Sequence, residues 1–248
     1  MLIDTYDTLN SGIINAIKVF NEVLVPNGYR PKAVRLDSGD LSYLSKKIRT
    51  ILDEAGFKDC KICGTNALDE YVITSILEEG AKIDLFGVGE NLITAKSHPV
   101  FGGVYKLVAI EKDGIIIPKI KVSNNTIKIT NPGFKKIYRF YDKSTNKALA
   151  DVIALNDEII PKDDYTIFDP VSPWKKKKLT NYTVRALQEL IFDNGNLVYK
   201  SPDLTSIANN TKKELETLWT EVKRIKNPHK YYVDLSQKLW DLKNELLK

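Results

Sequence analysis

The chain has 248 residues, 43% hydrophobic and 28% charged, with 37 basic against 32 acidic side chains and a net charge of +5. That is an ordinary globular composition. No apolar run approaches the ~20 residues that span a bilayer, and Met1-Leu2-Ile3-Asp4 lacks the basic flank and apolar stretch of a secretory signal. The expected setting is therefore cytoplasmic, without membrane contact.

The first hundred residues repeat one pattern four times: a short apolar strand, a polar cluster, an amphipathic helix. Leu2-Ile3 leads to Asp4-Thr5-Tyr6-Asp7-Thr8, and the helix that follows aligns Ile13, Ile17, Phe20 and Leu24 before Pro26 and Gly28 stop it. Ala33-Val34-Arg35-Leu36 leads to Asp37-Ser38-Gly39-Asp40, with a helix over Leu41 to Ala55 ended by Gly56. Lys61-Ile62-Cys63 leads to Gly64-Thr65-Asn66 and a helix ended by Gly80; Ile83 to Phe86 leads to Gly87-Val88-Gly89-Glu90. Thr8 and Asn66 suit helix N-caps. Strands alternating with helices at this spacing make parallel βαβ units. Four of them form either part of an α/β barrel or a small open sheet. Four strands cannot close a barrel, and residue 2 already stands inside the first, which points to a missing upstream part.

Cys60 and Cys63 form a C-x-x-C. A zinc site needs two more soft ligands, and His98 and His229 are not at finger spacing, so the expectation is reduced structural thiols and no protein-built metal site.

The pattern then changes. Val104 to Ile110 and Ile115 to Val122 read as a hairpin around Asp113-Gly114. Thr126–Thr130, Ile137–Tyr141 and Ala148–Ile153 read as further strands. After Asp169-Pro170 a loop-rich stretch contains Lys175-Lys176-Lys177-Lys178, which reads as a solvated loop; a nucleic-acid face would need wider basic patches with interleaved aromatics. Thr180 to Ile191 reads as a helix. Thr211 and Glu214 read as a capping box for a helix burying Leu215, Leu218, Trp219, Val222 and Ile225. A last helix repeats Leu235, Leu239, Leu242 and Leu246. Residues 1–103, 104–170 and 171–248 are accordingly expected as a parallel α/β part, a β-rich section and a C-terminal loop and helical region.

Chemistry in α/β proteins collects at the ends of parallel strands. Arg35 lies within a strand, two residues before its turn. If it faces a barrel interior it must be paired, for instance with Asp37, or face an anion, because an unpaired buried charge is very costly. A guanidinium fork suits a planar carboxylate. Gly87-Val88-Gly89 between strand and helix lets backbone N–H groups approach a phosphate, as any tight strand–helix turn also would. Lys121, Ser123, Lys128, Lys135, Lys136 and Arg139 form either a polyphosphate-binding set or a solvated strand face.

Asp4-Thr5-Tyr6-Asp7-Thr8, Arg35-Leu36-Asp37-Ser38-Gly39-Asp40-Leu41, Phe86-Gly87-Val88-Gly89 and Gly102-Gly103-Val104-Tyr105-Lys106-Leu107 together resemble the nicotinate phosphoribosyltransferases in order and spacing. Lys121-Val122-Ser123, Pro132-Gly133-Phe134-Lys135-Lys136 and Asn227-Pro228-His229 continue the resemblance. It implies a partial, irregular α/β barrel with an antiparallel β section and C-terminal helices. It implies an enzyme of NAD biosynthesis that joins nicotinate to phosphoribosyl pyrophosphate, with ATP as co-substrate and Mg2+ accompanying the pyrophosphate. It assigns the catalytic positions to Arg35 and Asp37, the substrate pocket to Asp4, Arg35, Asp37, Ser38, Gly39 and Asn66, and phosphate binding to Gly87, Val88, Gly89, Glu90, Gly102 and Gly103. Many relatives carry threonine where this chain has Glu90. The family's phosphorylated histidine lies upstream of Asp4 and matches neither His98 nor His229. The expected partner is a second copy or the missing N-terminal half. A ligand-binding fragment without activity, or a nicotinamide-using relative, are the competing readings; Leu36 and Asp40 favour nicotinate.

Overall fold

A computed structural model describes residues 1–100 and 102–248. The chain divides into two units, Met1–Gly103 and Val104–Lys248.

In the first unit, β1 (Ala33–Leu36), β2 (Lys61–Gly64) and β3 (Leu85–Phe86) pair in parallel and in sequence order. Leu2 joins β1 through a parallel bridge to Arg35, closed by Arg35 N–H to the Met1 carbonyl at 2.7 Å and Ile3 N–H to the Arg35 carbonyl at 3.1 Å. The alternation of strand side chains gives this sheet two unlike faces. Ile3, Val34, Leu36 and Ile62 are buried under the helices, against Ile13, Ala16, Phe20, Ile48 and Leu52. On the other face the register sets Leu2, Arg35, Cys63 and Leu85 in one row. Leu2 and Leu85 are 51% and 46% exposed there.

The helices follow the expected spans. Residues 8–24 are continuously helical, with α1 (Ile13–Val19) between two π turns, Thr8–Gly12 and Phe20–Leu24. Asp7, not Thr8, caps this helix, accepting from Leu9 and Asn10 N–H. Asp40 caps α2 (Leu41–Glu54) through Tyr43 N–H at 2.8 Å. Asp69, not Asn66, caps α3 (Glu70–Glu78); Asn66 adopts φ 107° and its Oδ1 accepts from Ala67 N–H. After β3 comes a single helical turn, α4 (Glu90–Ile93).

The second unit is built on a four-stranded sheet in the order β10-β6-β7-β13, from β6 (Lys135–Asp142), β7 (Ala148–Leu155), β10 (Tyr182–Ala186) and β13 (Val233–Leu235). The expected 104–170 and 171–248 sections thus share one sheet within one unit. Phe140, Ala150, Val152, Ile167, Leu179 and Tyr182 form its core, with β8 (Asp164–Phe168) and β9 (Lys176–Thr180) as a hairpin. The first hairpin is shorter than expected, β4 (Ala109–Lys112) and β5 (Ile115–Pro118), around Asp113 and Gly114 at φ 54° and 76°, the mirror-image turn that suits strand twist.

Several expectations are corrected here. Thr126–Lys128 is a 3-10 turn rather than a strand, because Asn125 Oδ1 captures the Ile127 N–H that a ladder would need. Thr180 to Ile191 is not helical: Asn181 turns the chain at φ 51°, and β10 pairs antiparallel with β6, as its Tyr-Thr-Val content permits. Short strands β11 (Phe192–Asp193) and β12 (Asn196–Leu197) follow. The lysine run lies largely on β9. Helix α5 (Leu204–Thr217) is capped by Asp203, so Thr211 is mid-helix and no capping box forms. It buries no residue; Leu215, Trp219 and Ile225 are exposed. Leu235 ends β13, and the last helix, α6 (Gln237–Glu245), buries only Leu239. Among the described residues no helix is long and apolar enough to cross a membrane.

Candidate functional site

The C-terminal ends of the four parallel segments are linked in a continuous row of contacts. Asp4 Oδ2, after the first segment, accepts from Asp37 N–H at 3.0 Å and from the Ser38 hydroxyl at 2.5 Å, after β1. Arg35 Nη2 donates to Asp37 Oδ1 at 2.9 Å and Arg35 Nε to Thr65 Oγ1 at 2.9 Å, at the end of β2. The Thr65 hydroxyl donates to Asp37 Oδ1. Finally, a Cβ placed on Gly87, after β3, would fall 2.6 Å from the Thr65 methyl.

The electrostatics follow from this wiring. The Thr65 hydroxyl and then the Arg35 guanidinium hold the Asp37 carboxyl below the usual carboxylate range. Asp37 in turn raises the Arg35 guanidinium. Both ends stay ionised near neutral pH. The two side chains are 53% and 41% exposed, so Arg35 is not a deeply buried cation. Its pairing orients the fork and carries little stabilisation of its own. Nη1 has no partner among the described residues, which leaves one edge of the guanidinium open to an anion. Asp4 Oδ1 is buried and likewise without a hydrogen bond among the described residues.

Gly39, at φ 77°, and Asn66 line a cavity of about 280 Å³ with Asp40, Leu68 and Glu79. In the glycine loop, Gly87 N–H is taken by the Gly64 carbonyl at 2.9 Å. The N–H groups of Val88 and Gly89 bond to nothing among the described residues. Helix α4 is one turn long, so its dipole adds little. Glu90 is exposed and 3.8 Å from Lys96 Nζ; Asn91 ties the turn to the Leu68 carbonyl at 2.9 Å. Gly102 and Gly103 are exposed with open space where side chains would stand.

Thr65 is the residue whose part the sequence left unassigned. Its position at a strand end was legible, its double contact was not. The β-section set is corrected in one member: Arg139 is engaged bidentately by Asp151 at 2.8 and 2.9 Å, and by Glu214 at 3.4 Å. Tyr231 also donates to Asp151 at 2.9 Å, so this arginine is structural. Lys135 Nζ donates to the Gly133 carbonyl, and burial pushes its amine down. Among the described residues no three His, Cys, Asp or Glu side chains gather to hold a metal ion. Cys60 and Cys63 are free thiols.

Residues 134–243 match the family model described as the nicotinate phosphoribosyltransferase C-terminal domain. The chain is 46% identical over 245 residues to a nicotinate phosphoribosyltransferase of Bacillus subtilis, covering 98% of this chain and 49% of that protein. It is 34% identical to one from Caenorhabditis elegans, covering 99% and 44%. The crystal structure of human nicotinic acid phosphoribosyltransferase superposes with a TM-score of 0.76 at 27% identity, over 100% of this chain and 46% of the human one. The chain thus spans about half the length of the relatives it matches.

Proposed function

Because the chain is homologous over almost its whole length to about half of a nicotinate phosphoribosyltransferase, we propose that it supplies one side of that enzyme's substrate site. Arg35 grips the nicotinate carboxylate through the open edge of its guanidinium, while Asp37 and Thr65 fix the fork. Asp4 and Ser38 hold the turn, and Gly39 and Asn66 line the adjacent cavity. The 5′-phosphate of phosphoribosyl pyrophosphate lies against the free N–H groups of Val88 and Gly89, with Glu90, Gly102 and Gly103 bordering it. The observation that carries this reading is the Arg35 fork, oriented from two sides and unpaired on the third.

The chemistry asks little covalent work of these groups. The nicotinate ring nitrogen forms a bond to C1 of the ribose as the C1–O bond to pyrophosphate breaks, and the bonding pair leaves with pyrophosphate. Holding the two reactants in line supplies much of the acceleration. Arg35 and the loop N–H groups do this for opposite ends of the reacting pair. Mg2+, when bound, would neutralise charge on the leaving pyrophosphate. The described residues offer no ligand cluster for the ion, so it would enter on the pyrophosphate, as Mg2+ sites often do, and no step here is routed through it. ATP coupling belongs to the whole enzyme, and no role in it falls to His98 or His229. The sequence-ordered parallel strands with one face open suit part of an α/β barrel, completed by residues equivalent to the other half of the relatives, in a dimer acting in the cytoplasm.

Melting this chain with and without magnesium phosphoribosyl pyrophosphate and nicotinate tests the proposal, since a ligand bound only by the folded state raises the melting temperature. A rise that Arg35→Ala abolishes for nicotinate is expected. No rise, alone or with the complementary half of a relative present, overturns it.

A further inference from the structure

Thr65 touches both subsites of the proposed site, and it does so with different atoms. Its Oγ1 accepts from Arg35 Nε at 2.9 Å and donates to Asp37 Oδ1. Its methyl occupies the space where a side chain on Gly87 would stand, 2.6 Å from the Cβ position. Threonine is branched at Cβ and stiff at χ1. Once the hydroxyl is fixed between Asp37 and Arg35, the place of the methyl is fixed too, and with it how closely the Gly87 backbone can approach. We infer that Thr65 is a positioning residue that sets the separation between the carboxylate-gripping guanidinium and the phosphate-facing glycine loop, and so selects a pyridine carboxylate and a ribose 5-phosphate held at one spacing. This rests on the functional reading above.

The two contacts can be cut separately. Thr65→Val keeps the branched shape and removes the hydroxyl. Thr65→Ser keeps the hydroxyl and removes the methyl. On the 248-residue chain, Gly87→Ala lowers the melting temperature, and adding Thr65→Ser restores most of the loss, because the methyl that collides with the new Cβ is gone; simple addition of the two losses overturns the contact. If Gly87→Ala does not fold, the Thr65→Ser/Gly87→Ala pair must, and failure of both overturns it equally. Titration with nicotinate and with inorganic phosphate then separates the roles. Thr65→Val weakens nicotinate about tenfold and spares phosphate, as loss of one charge-assisted hydrogen bond implies; Thr65→Ser weakens phosphate and spares nicotinate. Equal losses for both ligands in both variants, or none, overturn the inference. If neither ligand binds the parent chain, alone or with the complementary half of a relative present, while the melting cycle shows the coupling, the functional reading falls and the coupling of Arg35 to Gly87 through Thr65 stands.

Discussion

Asp4 and Ser38, 34 residues apart in the chain, share a hydrogen bond of 2.5 Å, and the same Asp4 oxygen accepts the Asp37 N–H. One carboxylate therefore pins the turn that carries Asp37. Asp4→Ala removes the acceptor of two donors, and the expected cost is about 1–3 kcal/mol, read from urea unfolding. Because the turn orients Asp37 and through it Arg35, the proposed function further requires that nicotinate affinity fall as well. Unchanged unfolding would show that water replaces Asp4 without loss.

Gly12 lies in the first helical stretch, where a Cβ would overlap the Ile3 carbonyl oxygen. Helix propensity alone makes Gly12→Ala stabilising by up to about 1 kcal/mol. The collision is with backbone, which cannot rotate away, and overpacking costs about 1–3 kcal/mol, with a backbone overlap at the upper end. The steric effect wins, so the denaturation midpoint should drop. A rise would mean that the helix start can lift from the strand.

Asp234 is 4% exposed, and its carboxyl is pushed up to about 6, first by burial and then by Asp169. The folded state holds its proton more tightly than the unfolded chain does. Stability therefore falls as pH rises from about 4 to about 6, and stays lower above that. Asp234→Asn should stabilise the chain at pH 7.5 by on the order of 2–3 kcal/mol and leave it unchanged at pH 4. Melting both proteins at the two pH values decides; equal gains at both would remove the titration from the explanation.

Asp151, 7% exposed, receives both arms of Arg139 and the Tyr231 hydroxyl. Asp151→Ala leaves that arginine partly buried, with only the longer contact to Glu214, at an expected cost of about 3–5 kcal/mol. Replacing Asp151 and Arg139 together by leucine and methionine should cost much less. A double variant as unstable as the single one would show that the pair contributes more than it costs to desolvate.

The parallel unit was legible because its signals are local. Each strand is a short apolar run, each helix a 3.6-residue stripe, and Gly28, Gly56 and Gly80 take the left-handed ends their positions suggest. Asp37 was legible from its spacing as a candidate partner for Arg35, with a bound anion as the alternative. The contact between Thr65 and Gly87 was not, because it depends on which strands are neighbours. The errors fall where local signals compete. Val184, Leu187 and Ile191 mimic a helical stripe, yet β6 needs an edge partner and takes residues 182–186. Thr211 and Glu214 have capping spacing, but Glu214 is engaged by Arg139 and Arg185, and Asp203 opens the helix earlier.

Cys63 stands beside Arg35 on the uncovered face of the parallel sheet, half-buried, while Cys60 is fully buried and its thiol is pushed up by desolvation. The two thiols differ in accessibility because Cys63 lies on the uncovered face of β2, whereas Cys60 precedes that strand and packs into the core. A maleimide added to the native protein would consequently tag Cys63 ahead of Cys60. The rate of that tagging is a built-in gauge of how much of the neighbouring sheet surface any added ligand or polypeptide occludes, read without altering a single residue.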